Sequence, residues 1–297
     1  MKHNDIPLDE SINPLVSIVI LVKNGGAVFK QCLSQVLNQD FKYKYEVIVI
    51  DSGSTDRTIE YLNGKNVRLI HIDSGQFQFG KTRDFGFSNA YGKYIVTLSA
   101  DAVPTSKQWL TNLISPLIKN HADVVQGNLV TPPDKDLFYW EKINEFYFTS
   151  EGKEFIANYG GFGLSCCNIA FNKIAWRNTK FGNSHFCEDK VIQRRLFIGG
   201  YLLLKVNNAN VFHTHRYTIN TLIKRCNNEG IGWRNAGVNY SLQLLFHDIF
   251  FSNNNLFLKL FNGIINQEIT KLSEIVFPIV RPFFLFKGNH SSPFSKE

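Results

Sequence analysis

The stretch Phe79-Gly-Lys-Thr-Arg-Asp-Phe-Gly-Phe-Ser-Asn-Ala-Tyr-Gly-Lys-Tyr-Ile-Val-Thr-Leu-Ser-Ala-Asp-Ala-Val-Pro104 decides the fold. Its first part predicts a helix from Gly80 to Gly92, where a glycine suits a helix stop. Tyr94 to Leu98 is β-branched and aromatic and predicts a buried strand. Asp101 stands just beyond the carboxyl end of that strand, the edge at which open α/β sheets bind ligands. A carboxylate there, with Lys81 and Arg83 upstream, suits a metal-bound diphosphate. Asp101-Ala-Val-Pro104 also reads as plain turn chemistry.

Upstream, Val16-Ser-Ile-Val-Ile-Leu-Val22 is a continuous apolar run, the pattern of a central strand buried on both faces. Lys23-Asn-Gly-Gly26 breaks it, and apolar residues from Val28 to Leu37 then recur at helical spacing, to about Asn38. Glu46 to Ile50 predicts a second strand. It runs into Asp51-Ser-Gly-Ser-Thr-Asp-Arg-Thr58, where Ser54 or Thr55 can cap a helix reaching Asn63. Val67 to Ile72 predicts a third strand, and a helix from Ser106 to Lys119 follows the opening stretch. Strand alternating with helix in this way predicts an α/β class with a Rossmann-like, mostly parallel sheet.

Beyond Asp123 the chain is more aromatic and less periodic. A loop at Gly160-Gly-Phe-Gly163, a strand from Leu164 to Phe171 and a helix from Cys187 to Ile198 are expected. Tyr201 to Val206 with Ala209 to Phe212 predicts a short hairpin or ribbon. From Asn220 the pattern is helical, broken at Ser252-Asn-Asn-Asn255. The organisation expected is a flexible lead (1–13), an α/β half (14–120), a mixed region (121–219), C-terminal helices (220–287) and a tail (288–297).

The chain has 297 residues, 44% hydrophobic and 19% charged, enough to bury a sizeable core. A net charge of +7 suits an anionic partner. The bases are spread along the chain and no basic helix stands out, which argues against nucleic acid. The five cysteines (Cys32, Cys166, Cys167, Cys187, Cys226) form no Cys-x-x-Cys pair and fit neither a disulfide framework nor a zinc site. Reduced thiols, a lead without a signal-peptide pattern, and no apolar run of ~20 residues predict a cytoplasmic protein.

Carboxylates fall at three element ends: Asp51 after the second strand, Asp101 after the strand of the opening stretch, and Glu188-Asp189 at a helix start. Each has an ordinary structural reading, as a turn or as an acid at a helix N-terminus. In order, and with Val16 to Asn24, Gly80-Lys-Thr-Arg83, Ser99-Ala-Asp101 and Arg195-Leu-Phe-Ile-Gly-Gly-Tyr201, they are specific. The chain from Leu15 to Trp233 resembles inverting nucleotide-sugar glycosyltransferases of the large family that includes cellulose, hyaluronan and O-antigen sugar transferases. Phe79 to Arg83, the Ser-Ala-Asp form of the acidic motif and Val211-Phe-His-Thr-His215 look most like bacterial rhamnosyltransferases.

The resemblance implies a GT-A fold and a set of roles. Asn24 and Ser54 lie in nucleotide loops, and Asp51 accepts the N3–H of uracil or thymine. Lys81, Arg83 and Ser99 lie near the base or diphosphate. Asp101 binds a divalent metal, Mn2+ or Mg2+, and Asp189 is the general base, with Glu188 and Gly161 on the acceptor side. The chain departs from the family's pattern at Ser99, where an aspartate is usual, and at Asp84, where an asparagine is usual. With one strong carboxylate left, His213 or His215 is the candidate to complete the metal shell. The implied activity is transfer of a sugar (rhamnose on the closer motifs) from a dTDP- or UDP-sugar to a surface glycan or lipid-linked acceptor. A UDP-hexose or UDP-N-acetylhexosamine donor, or a non-catalytic binding module, stay open as alternatives. Two readings also stay open for the C-terminal apolar stretches. They complete the core and a dimer contact, or they lie on the inner face of a membrane with Lys259, Lys271, Arg281 and Lys287 near anionic headgroups.

Overall fold

Four apolar runs become parallel strands: β1 (Val16–Val22), β2 (Tyr45–Asp51), β3 (Arg68–His71) and β4 (Tyr94–Ser99). The computed structural model describes residues 13–133, 138–143, 145–146, 149–215, 217–251 and 256–291. The expected lead, the break at Ser252–Asn255 and the last residues of the tail therefore lie outside the described residues. Register aligns Val22 with Asp51 and Leu21 with Ser99, so the carboxyl ends of β1, β2 and β4 form one edge. The sheet is completed by β5 (Val103–Pro104), β6 (Val124–Val130), β7 (Asn168–Asn172) and β8 (Leu203–Phe212), in the order β3-β2-β1-β4-β7-β6-β8-β5. β7 is antiparallel to β4 and β6, and β5 is antiparallel to β8.

Helices α1 (Gly26–Leu37), α2 (Thr58–Leu62), α3 (Phe79–Ser88) and α4 (Trp109–Ile118) connect the early strands. Helices α5 (Tyr139–Lys142) and α6 (Ser150–Asn158) precede β7, and α7 (Lys173–Thr179) and α8 (Glu188–Ile198) follow it. After β8 come α9 (Ile219–Asn235), α10 (Leu242–Phe246) with a π-helical turn at His247–Phe251, α11 (Leu256–Ile265) and α12 (Leu272–Asn289). The described residues form two compact units. One, from Met1–Val130, Leu164–Gly182 and Ile198–His213, holds the whole sheet. The other, from Thr131–Gly163, Asn183–Phe197 and Thr214–Glu297, is helical.

In the sheet unit, Ile18, Ile20, Val49 and Val96 are buried in one core with Phe29 and Leu33 of α1 and Trp109 and Leu113 of α4. Against α3, a Cβ on Gly86 would lie 2.7 Å from Val19 and Ile50, so only glycine lets the helix approach this closely. Four expectations change. Helix α3 ends at Ser88; Gly92 is needed instead where the chain passes β1, since a Cβ there would meet the Ser17 nitrogen at 2.6 Å. Helix α2 starts only at Thr58, with Asp56 accepting its N–H at 2.9 Å; neither Ser54 nor Thr55 caps it. The expected hairpin is the single strand β8, because its two halves both pair with β6 across a bulge at Gln126/Asn128. The tail does not start at Gly288, because α12 continues to Asn289 and buries both residues.

In the helical unit, α9 packs on α12. The two prolines inside α12, Pro278 and Pro282, lie on its buried face. Proline removes the hydrogen bond to the carbonyl four residues back. For Pro278 that carbonyl belongs to Glu274, and the Trp140 indole N–H donates to it at 2.7 Å. Across the same interface Arg281, fully buried, donates to Glu229 at 2.6 Å, and Arg225 donates to the other oxygen at 2.9 Å. Arg281 is thus part of the core, which removes it from the expected headgroup contacts. Burial pushes the Glu229 carboxyl up, but the two guanidinium groups outweigh it and hold it below its ordinary value. Arg281→Met should therefore cost about 3 kcal/mol in urea unfolding at neutral pH, by leaving a buried carboxylate short of its partner. Because the folded pKa is depressed, that margin is complete above the ordinary glutamate pKa and is lost as pH falls through the lowered folded value. A margin independent of pH would contradict the assignment.

Candidate functional site

The loop after β1 is laced to the loop after β2. Asn24 takes a left-handed φ of 52°, which asparagine tolerates. Its Oδ1 accepts from the Thr55 N–H at 2.7 Å, and its own N–H donates to Ser54 Oγ at 2.8 Å. Asp51 is buried at the end of β2. Its carboxylate accepts the N–H groups of Gly53 and Ser54 at 3.1–3.2 Å, and His71 Nδ1 lies 3.4 Å away. Burial raises the Asp51 pKa, but the hydrogen bonds from Ser54, Gly53 and His71 outweigh it and keep the group ionised. Beside it a cavity of ≈ 260 Å³ is lined by Val22, Lys23, Ser52, Phe77 and Phe79, among others. Phe77 and Phe79 meet edge to face at 4.9 Å. This is an apolar slot with one polar wall.

Lys81 is exposed in the first turn of α3. Arg83 is not exposed: it is 5% accessible and donates to Thr97 Oγ1 at 2.6 Å, bracing α3 against β4. Asp84 explains its own departure from the expected asparagine. Its carboxylate accepts the Trp176 indole N–H at 2.7 Å and the backbone N–H groups of Phe181 and Gly182 at 3.1 and 2.8 Å. An amide offers one acceptor oxygen where the carboxylate offers two.

Pairing of Val103 with Phe212 sets Asp101, just before β5, beside His213, just after β8. Asp101 Oδ1 lies 3.6 Å from His213 Nε2; the carboxylate is 56% exposed and the imidazole 7%. The same ring nitrogen lies 3.6 Å from Cys167 Sγ, which accepts from Ser99 Oγ at 3.4 Å. Burial pushes the Cys167 thiol up, but His213 and the Ser165 and Ser99 hydroxyls outweigh it and hold it below its ordinary range. His215 belongs to the helical unit. There its ring lies 3.7 Å from Glu141 and 3.2 Å from Arg225, stacked on Tyr217. Of the two histidines that the sequence left open, His213 is the one that lies beside Asp101. No cluster of three His, Cys, Asp or Glu side chains able to hold a metal occurs among the described residues. Asp101 and His213 offer one hard oxygen and one imidazole nitrogen. That set fits a divalent ion that takes the rest of its shell from phosphate oxygens and water.

In the helical unit, Glu188 and Asp189 open α8 after Cys187, whose φ of 52° turns the chain into the helix. Glu188 is buried, and Asp189 is about one-fifth exposed, with Oδ1 accepting its neighbour's N–H at 2.8 Å and Lys190 Nζ 3.8 Å from Oδ2. A Cβ on Gly232 of α9 would stand 2.6 Å from the Cys187 side chain, so the glycine lets α9 seat this turn. Gln193, fully buried, donates at 2.7 Å to the carbonyls of Tyr159 and Phe162 and so ties α8 to the loop of Gly160 and Gly161, both at positive φ. Cys167 and Gln193 were missed in the sequence; each acts through a partner far away in the chain, and no spacing announces it.

The model of the family described as "Glycosyl transferase family 2" matches residues 17–178. The O-antigen chain rhamnosyltransferase RfbN of Salmonella typhimurium is 26% identical over 216 residues, covering 68% of this chain and 67% of that protein. Glycosyltransferase AglE of Haloferax volcanii is 32% identical over 122 residues, covering 39% of this chain and 40% of AglE, less than half of that relative's length. Among solved structures, the mannosyltransferase PcManGT of Pyrobaculum calidifontis, in complex with GDP-Man and Mn2+, superposes with a TM-score of 0.61 at 14% identity, covering 97% of this chain and 90% of that one. Glucosyl-3-phosphoglycerate synthase of Mycobacterium tuberculosis, with Mn2+, UDP-glucose and phosphoglyceric acid, gives 0.56 at 16% identity over 76% and 80% of the two chains. At such identities the likeness is one of fold, and it is the GT-A fold expected from the sequence.

Gln193→Leu should free the Tyr159–Phe162 loop. Chymotrypsin should then cut there several-fold faster, with a loss of about 1–3 kcal/mol in stability. Unchanged cleavage would show that the loop is held by something else.

Proposed function

This chain belongs to glycosyl transferase family 2, and we propose that it moves a sugar, with inversion, from a pyrimidine nucleoside-diphosphate donor to a surface glycan or lipid-linked acceptor. The observation that carries the donor reading is the shared sheet edge. Asp51 ends β2 and Asp101 follows β4, the two strands that flank β1; the Phe77–Phe79 slot lies beside the first and His213 beside the second. A flat base fits the slot. Asp51 Oδ1 already meets the Ser54 N–H, and a carboxylate oxygen has room for a second donor, the N3–H of uracil or thymine. Asp51 is held ionised, so it recognises an N–H and repels a carbonyl at that position. Lys81 stands at the α3 N-terminus, where exposed N–H groups and the helix dipole favour a diphosphate.

Asp101 and His213 would hold a divalent metal, Mn2+ or Mg2+. When bound, it neutralises charge growing on the leaving diphosphate. Asp189 is the proposed general base. It takes the proton of the acceptor hydroxyl as that oxygen attacks the anomeric carbon, from hydrogen-bond distance of ~3 Å in the bound complex. Glu188 and the Gly161 loop shape the acceptor side. The likeness to RfbN over 68% of the chain supports rhamnose as the transferred sugar. Uracil and thymine present the same N3–H, so Asp51 accepts UDP- and dTDP-donors alike.

The test is a panel of purine and pyrimidine nucleotide sugars, titrated with and without Mn2+ or Mg2+. A pyrimidine donor should bind with metal, and Asp101→Ala should weaken the metal-dependent part about 10–100-fold. Asp189→Asn should keep donor binding and lose transfer about 10²–10⁴-fold. Equal binding of purine and pyrimidine donors would end the Asp51 assignment. Donor binding without transfer or donor hydrolysis would make the protein a binding module.

A further inference from the structure

The C-terminal helices bury one face and leave the other apolar. On α12 the buried side, including Phe277, Arg281 and Leu285, is packed into the helical unit. The opposite side carries Leu272, Ile275, Ile279 and Phe283, all exposed, at spacings of three and four residues that put them in one line. The solvent face of a helix packed on a core is ordinarily charged and polar. Neighbouring elements repeat the pattern. Helix α11 exposes Phe257, Phe261 and Ile265, and the π-helical turn exposes Phe250 and Phe251 at 64% and 71%. Both pack on α12. A monomer in water rarely leaves so much contiguous apolar surface uncovered.

The charges around this surface indicate what covers it. From Ile219 to Ser291 the sequence has four acids and seven Lys or Arg residues. Three of the acids, Glu229, Asp248 and Glu274, are buried. The fourth, Glu268, is paired with Lys142. Lys224, Arg234 and Lys287 are exposed, and Lys259 and Lys271 are half-buried. Lys259 is paired with Glu145, and Glu274 and Arg281 are buried, so the exposed charge that α11 and α12 themselves carry is the base Lys287. A second copy of the same face would offer Lys287 no unpaired acid, because the acids of this stretch are buried or paired. An anionic bilayer accepts both the phenylalanines and the lysines. No helix among the described residues is long and apolar enough to cross a membrane.

We propose that α11, α12 and the π-helical turn form an interfacial membrane-binding face that docks on anionic lipid. Core packing and surface contact, which the sequence offered as alternatives, are then two faces of the same helices. This surface stands apart from the donor reading and would hold if no sugar were transferred.

The test is co-sedimentation of the full chain with vesicles of phosphatidylcholine alone or mixed with phosphatidylglycerol. Binding is expected to the mixed vesicles and should weaken in raised salt. Ile279→Asn combined with Phe283→Asn should lower the partition about tenfold or more, and Lys287→Glu about severalfold. These positions are exposed, so the thermal transition should be unchanged, and that measurement separates lost docking from lost folding. No binding of the wild type to anionic vesicles, or binding that survives the face variants, would overturn the proposal. So would a dimer that the same variants convert to monomer without any lipid binding, which would assign the face to a second copy.

Discussion

The side chain of Asn168 holds the far half of the sheet together. It is fully buried at the start of β7. Its Oδ1 accepts the Trp109 indole N–H at 3.0 Å, and its Nδ2 donates to the carbonyls of Asn128 and Ala209 at 3.1 and 2.8 Å. One amide thus joins α4, β6 and β8. Gly127 stands where any Cβ would strike it, so the bulge in β6 is shaped around this side chain. A buried amide left short of partners costs more than the hydrogen bonds contribute when made, so these partners must form together. The next residue towards the site is Cys167, which touches Ser99 and His213. The position of His213 beside Asp101 is therefore a property of the β6-β7-β8 assembly more than of the acidic loop itself.

How much of this was legible in the sequence follows from contact range. The runs forming β1, β2 and β4 declare themselves because each is buried on both faces, and the acids at their ends follow once the strands are placed. Pairing of the two-residue β5 with the end of β8 has no local signature. It joins Val103 to Phe212, and it alone distinguishes His213 from His215. The supposed tail failed for a similar reason. Gly288 opens the expected tail, but a Cβ there would collide with the Asn227 carbonyl, so it marks a close helix crossing. Glycine at Gly92 was misread in the same way. In both cases the residue was chosen by what packs against it, whereas the sequence reading assumed it was chosen by its own backbone.

Ser99 shows how a departure from a family pattern can be absorbed. With one aspartate replaced, Ser99 offers a hydroxyl, and that hydroxyl is turned to the Cys167 sulfur. The acidic loop keeps a single exposed carboxylate, Asp101, and in the proposed metal site the second donor, His213, would come from another strand. An imidazole brings no negative charge, so the pair carries one charge fewer than two aspartates would. A metal held by this pair would depend more on a bound diphosphate, and metal and donor should favour each other's binding by linkage.

The excess of positive charge also gains a physical meaning from placement. Arg83 and Arg281 are buried and hold helices to their neighbours, so neither contributes to a surface field. Of the bases near the sheet edge, Lys23 after β1 and Lys81 at the start of α3 are exposed. In the C-terminal stretch Lys224, Arg234 and Lys287 are exposed, while Glu229, Asp248 and Glu274 are buried. Burying acids in this way is expensive, because each buried acid has to be compensated internally, as Glu229 is by two arginines and Glu274 by the N–H groups of Tyr139, Thr270 and Lys271. Removing acids from the surface at that cost makes sense where the surface meets an anion broader than a single phosphate.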